Sequence, residues 1–126
     1  MDLGGRVLVV DDDEGMREAL KTLLDAAGFD TAVFASAEAL LRDGVINGAR
    51  CVISDIRLPA MSGFDMLAAL RARGERIPVI AITAHDEPGV REDALRHGAA
   101  AYLAKPFHAA ALLAAIESIG NSASRN

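Results

Sequence analysis

The chain holds one cysteine, Cys51, among 126 residues, so no intramolecular disulfide can form and a disulfide-stapled secreted scaffold is excluded. Histidines are few. His85, His97 and His108 lie 11 or more positions apart and meet no second cysteine, which defeats the spacings of zinc sites. No apolar run approaches the roughly 20 residues needed to cross a bilayer. Met1 to Arg6 leaves no room for the basic and apolar regions of a signal peptide before Asp11. No membrane contact and a cytoplasmic location are therefore the expectation. Cations are also short: 13 Lys and Arg against 18 Asp and Glu give a net charge of −5, the wrong balance for a surface that tracks nucleic acid or anionic lipid. Direct nucleic-acid binding is not expected.

What the chain does have is apolar material, 52% of its residues, enough for the core of a single domain of this length. Strands are expected at Arg6 to Val10, Thr31 to Phe34, Arg50 to Ser54, Ile77 to Ile82 and Ala100 to Leu103. The first, third and fourth are near-continuous apolar runs, as strands covered on both faces require. Helical stretches separate them. Met16, Ala19, Leu20, Leu23, Leu24 and Ala27 recur at i, i+3, i+4, i+7 spacing, and Gly28 then stops that helix. Ser36 suits the N-cap of a second helix ending near Gly44, and a third runs from Gly63 to about Arg73. Pro88 in a first turn and Gly98 as a stop bracket a fourth around Val90 to His97. Ala109 to Ile119 supplies the fifth. The expected organisation is one domain over residues 1–120 and a flexible tail over residues 121–126.

Strands alternating with helices indicate a parallel sheet with right-handed crossovers and helices on both faces, an open doubly wound α/β arrangement. Ligands of such sheets sit beyond the carboxyl ends of the strands, where strand order reverses. At those ends stand Asp11, Asp12 and Asp13, then Asp55, Thr83 and Lys105. Clustered carboxylates resist ionising together unless a cation shares their site. A nucleophilic carboxylate, acids for an oxygen-ligated metal such as Mg2+, a hydroxyl and an amine make up a kit for an aspartyl phosphate.

Four separated pieces carry a resemblance: Val9-Val10-Asp11-Asp12, the stretch Ser54-Asp55-Ile56-Arg57-Leu58-Pro59-Ala60-Met61-Ser62-Gly63, Ile82-Thr83-Ala84, and Tyr102-Leu103-Ala104-Lys105-Pro106-Phe107. In this order, each at a strand end, they resemble the receiver domain of two-component response regulators, the CheY-like superfamily, from about Arg6 to Ile119. The Ser54 to Gly63 stretch looks most like nitrogen-fixation-regulator (FixJ-type) receivers. The resemblance implies a flavodoxin-like (βα)5 fold with a five-stranded parallel sheet in the order 2-1-3-4-5, an order carried over from the family.

It further implies that Asp55 is the phosphoacceptor and that Asp11 and Asp12 organise Mg2+, or Mn2+ in its place, together with Asp55 and the backbone carbonyl of Arg57. Lys105 would contact the phosphoryl group or Asp55, Thr83 would donate its hydroxyl to a phosphoryl oxygen, and Ala84 leaves room for the donor. Lys105-Pro106 matches the family's cis peptide. Thr83 and Tyr102 would form the switch, altering a protein-binding surface around the fourth helix and fifth strand. Arg57 and His85 occupy positions that can tune phosphate lifetime. Such a domain catalyses only its own phosphorylation and dephosphorylation. Its implied partners are a sensor histidine kinase or phosphotransfer protein, then a downstream protein or an output domain, with a phosphorylation-dependent homodimer as a further state. It would be a single-domain regulator or a receiver cut from a longer protein.

Several residues carry a plainer reading beside this one. Asp13 follows the acidic pair and suits a helix cap or solvated acid as well as a metal contact through water. Tyr102 on a strand is equally half-buried packing with a wet hydroxyl, His85 a solvated loop histidine, and Cys51 a small buried hydrophobe. Two other classes compete. Asp11-Asp12-Asp13 fits the Asp-x-Asp of haloacid-dehalogenase-type phosphohydrolases, although Gly15 stands where that motif wants Thr or Val. A degenerate receiver acting as a scaffold is the other, and no residue supports it.

Overall fold

A computed structural model of the chain describes residues 5–124, with side chains as far as Ile119. Five strands alternate with five helices: β1 (Arg6–Val10), α1 (Glu14–Ala26), β2 (Asp30–Phe34), α2 (Ala37–Asp43), β3 (Cys51–Asp55), α3 (Gly63–Ala72), β4 (Val79–Thr83), α4 (Val90–Arg96), β5 (Ala101–Ala104) and α5 (Ala109–Ser124). All pair in parallel in the order β2-β1-β3-β4-β5, the flavodoxin-like order expected. Strand order reverses between β1 and β3. Register aligns the strand ends there: Val10 faces Ser54, Asp55 faces Ile82 and Thr83 faces Ala104.

The apolar runs of β1, β3 and β4 are explained by cover on both faces. Alternate residues Val7, Val9, Ile53, Ile80 and Ile82 pack with Leu20 and Leu24 of α1 and Leu112 and Ile116 of α5. Their neighbours Leu8, Val10 and Val52 pack with Leu40 of α2 and Met66, Leu67 and Leu70 of α3. A smaller cluster of Ile56, Ala81, Ala94, Ala99 and Tyr102 joins β4 and β5 to α4. Each side chain buried here contributes on the order of 1.5–3 kcal/mol relative to exposure, so the two large clusters fix which face of each helix turns inward.

Caps set the helix starts. The Ser36 hydroxyl accepts from the Ala39 N–H at 3.0 Å, and Ser62 forms a reciprocal capping box with Asp65. Several boundaries differ from expectation, three of them with a clear cause. Pro88 does not lie in the first turn of α4, because Gly89 follows it at φ 89° and breaks the helical path before Val90. The expected stop at Gly120 is overrun, and α5 continues to Ser124. A glycine costs a helix only about 1 kcal/mol, too little by itself to fix the stop. Residues 125 and 126 of the expected tail lie outside those described. β4 begins at Val79 and not at Ile77, since Pro78 has no N–H to give the ladder.

Candidate functional site

Asp11 directly follows β1, Asp55 is the last residue of β3, Thr83 the last of β4, and Lys105 follows β5. Parallel register therefore gathers all four at one edge of the sheet. One carboxylate oxygen each from Asp11, Asp12 and Asp55 lies within 4.8 Å of the others. Asp11 is fully buried and Asp55 only 8% exposed, while Asp12 faces solvent. Lys105 Nζ donates to Asp55 Oδ2 at 2.9 Å and to Asp11 Oδ2 at 3.0 Å. Burial pulls the Lys105 ammonium down, but the two carboxylates outweigh it and hold its pKa above the ordinary lysine value.

Three carboxylates against one ammonium leave a local excess of negative charge. An all-oxygen donor set with that excess fits a hard divalent cation of the Mg2+ or Mn2+ type, and these three acids could hold one. Two backbone donors and one guanidinium complete the frame. The Arg57 N–H donates to Asp55 Oδ1 at 3.0 Å, the Asp13 N–H to Asp11 Oδ1 at 2.9 Å, and the Arg17 guanidinium to the Asp11 carbonyl at 2.8 Å.

The loop between β3 and α3 is pressed close beneath the acids. A Cβ on Gly63 would stand 2.5 Å from the Asp55 carbonyl oxygen, so only glycine fits there. Its N–H donates to the Ile56 carbonyl at 2.9 Å. Ala60 in the same loop holds φ 64°, a left-handed conformation that costs an alanine about 1–2 kcal/mol. The Lys105-Pro106 peptide is cis.

Other expected residues fall outside the acid cluster. Asp13 is the N-cap of α1, its Oδ2 accepting from the Met16 N–H at 2.8 Å. The Thr83 hydroxyl, nearly fully buried, accepts from the His85 N–H at 3.0 Å, and His85 itself is exposed. The Tyr102 ring is largely buried beside Ala94 and Ala99, and its hydroxyl donates to Asp86 Oδ1 at 2.7 Å. Burial, then the Asp86 carboxylate, push its phenol up to about 12. Cys51 sits wholly within the core, where burial pushes the thiol up to about 12 and leaves it inert. Arg17, Asp86 and Glu87 were not singled out from sequence. Each looks like an ordinary surface charge, and only the tertiary contact distinguishes it.

An open doubly wound sheet whose switch point holds a lysine-bridged acid cluster places the chain in a class, the flavodoxin-like proteins with an acidic crevice beyond the strand ends. Within it, residues 7–117 match the family model described as the response regulator receiver domain, and the chain belongs to that family. It is 41% identical over 118 residues to the transcriptional regulatory protein FixJ of Azorhizobium caulinodans, covering 93% of this chain and 56% of that protein. It is 40% identical to the response regulator protein FleR of Pseudomonas aeruginosa over 88% of this chain and 24% of that one. The chain thus spans about half or less of these relatives. Among solved structures, a receiver domain protein from Clostridium thermocellum superimposes with a TM-score of 0.88 at 30% identity, covering 95% of this chain and 97% of that one. FixJ-N gives 0.84 at 32% identity, covering 96% and 95%. The FixJ-type resemblance is upheld, and the chain is a receiver domain of the two-component response regulators. The phosphohydrolase alternative does not stand beside a receiver match over residues 7–117.

Proposed function

We propose that Asp55 accepts a phosphoryl group from the phosphohistidine of a sensor kinase or phosphotransfer protein. An Asp55 carboxylate oxygen attacks phosphorus, the donor's P–N bond breaks, and the imidazole leaves with a proton. Water later attacks the acyl phosphate, restoring the carboxylate and releasing inorganic phosphate. The chain's catalysis is confined to these two steps on itself. The observation that carries the reading is the convergence of Asp11, Asp12 and Asp55 with Lys105 bonded to two of them.

Asp11, Asp12 and Asp55, with the Arg57 carbonyl, would hold Mg2+ or Mn2+, which when bound neutralises charge on phosphoryl oxygens. Lys105 follows the new phosphoryl oxygens as a compact point charge. Thr83 already accepts from the His85 N–H, and its own O–H remains free to donate to the phosphoryl group. Movement of Thr83 and Tyr102 then alters the surface of α4 and β5, a shift between two packings biased by how well each fits the phosphate. His85 and Arg57, at the mouth, tune the lifetime.

The receiver unit runs from β1 through α5. The altered surface is read by a downstream protein, by an output segment of a longer regulator of which this chain is a part, or by a second copy of the chain on phosphorylation. A cytoplasmic setting agrees with the buried reduced thiol. No helix among the described residues is long and apolar enough to cross a membrane.

Intact mass after incubation with acetyl phosphate and Mg2+ tests the reading. The wild type is expected to gain a single phosphoryl group only with Mg2+ present, and Asp55→Asn to gain none. Labelling that persists in Asp55→Asn overturns the assignment.

A further inference from the structure

The β4–α4 loop carries two adjacent acids that reach different elements. Asp86 Oδ1 accepts the hydroxyl of Tyr102 on β5 at 2.7 Å. Glu87 Oε1 lies 3.6 Å from the guanidinium of Arg57, in the loop after β3. Arg57 is also tied to Asp55, through its backbone N–H. A run of contacts therefore joins Asp55 to Tyr102 through Arg57, Glu87 and Asp86, without passing through Thr83.

Resting on the reading of Asp55 as phosphoacceptor, we propose that Glu87 is a positioning residue that holds the Arg57 guanidinium on the β4–α4 loop until a phosphoryl group draws it away. The pair is suited to exchange. Both side chains are more than half exposed, at 55% and 64%, and separated by more than hydrogen-bond length, so water and salt hold their attraction to a small value. A phosphoryl group two residues from Arg57 brings roughly two negative charges and three acceptor oxygens that a guanidinium grips in bidentate fashion.

Departure of Arg57 removes the tether of Glu87, and the next residue, Asp86, is the one that fixes the Tyr102 hydroxyl. The loop is exposed from residue 84 to residue 89 and ends at Gly89, which holds a left-handed φ of 89° and, having no side chain, offers α4 no cap. The bonds that restrain it are local ones: the His85 N–H on the Thr83 hydroxyl, the Glu87 N–H on the His85 carbonyl and the Val90 N–H on the Glu87 carbonyl. Arg91, 6.0 Å over the Tyr102 ring, is the neighbouring cation that would meet Asp86 as the loop moves. Phosphoryl charge thereby reaches Tyr102 by electrostatic exchange.

The chain has one tyrosine and no tryptophan, so intrinsic emission reports Tyr102 alone. The experiment titrates wild type, Glu87→Gln, Arg57→Gln and the double variant with fluoroberyllate in Mg2+, reading affinity by calorimetry and the ring by emission. Both positions are exposed, and circular dichroism checks the fold of each variant. Glu87→Gln is expected to bind about three-fold more tightly, and its unliganded emission to move toward the bound value. Arg57→Gln is expected to bind about three-fold more weakly, with Glu87→Gln adding nothing in that background. An unchanged affinity in Glu87→Gln, or the same gain with Arg57 absent, overturns the proposal. Absence of fluoroberyllate binding in the wild type overturns the Asp55 reading, and the pair with it.

Discussion

At Lys105 a single ammonium lies 2.9 Å from one buried acid and 3.0 Å from another, with its side chain only 14% exposed. Removing one partner of a buried charged group leaves the others uncompensated, which costs several kcal/mol when burial is complete and less with partial access to water. Lys105→Met is therefore expected to lose about 2 kcal/mol in EDTA at neutral pH. Millimolar Mg2+ should restore more stability to the variant than it adds to the wild type, because the ammonium no longer competes for Asp11 and Asp55. Thermal melts with and without Mg2+ check this, and an unchanged melt in EDTA would count against the bridge. Gly63 is the second residue whose role is spatial: its missing side chain lets the α3 start lie against the Asp55 carbonyl. Sequence marks that glycine as a helix start and as the end of the Ser54 to Gly63 stretch, without showing what it lies against.

The elements are placed by caps and by what covers them. Asp13 shows how a cap and a site share one stretch: its carboxylate receives the Met16 N–H while its own N–H supports Asp11. Asp13→Ala is expected to cost about 1 kcal/mol in urea unfolding and to leave Mg2+ affinity within about two-fold, since Asp13 stands apart from the three acids that converge. A collapse of Mg2+ affinity would return Asp13 to the metal site. Strands and helices were legible from their two apolar periodicities to within a residue or two at most ends. The misplaced ends have nameable causes, a left-handed Gly89 after Pro88 and a glycine at position 120 whose propensity cost is too small to stop α5. Propensity alone weighs too little to decide such ends against tertiary contact.

For the whole molecule, three groups titrate in the same sense. Burial raises Cys51 from 9.0 to about 12, burial with Asp86 raises Tyr102 from 10.0 to about 12, and Asp55 and Asp11 raise Lys105 against its own desolvation. In each case the folded protein keeps a proton that the unfolded chain releases first. Their stabilisation is complete below the unfolded values and is lost as pH climbs from about 9 toward about 12. Melting temperature should fall across that window, and Cys51→Val should flatten the start of the fall; melts by circular dichroism at stepped alkaline pH check both. A melt that is flat above pH 9 contradicts the burial of these groups. Local periodicity and caps were enough to give the order of the elements, the apolar face of each helix, the continuous cover of β1, β3 and β4, and the carboxyl end of each strand to within a residue. Strand order came only through family resemblance. The resemblance implied that Lys105 meets Asp55, but only the tertiary structure showed that it also reaches Asp11, 94 positions away, that Arg17 supports Asp11, and that Arg57 meets Glu87. Those contacts depend on the register of non-local parallel pairs, which no local pattern of residues encodes.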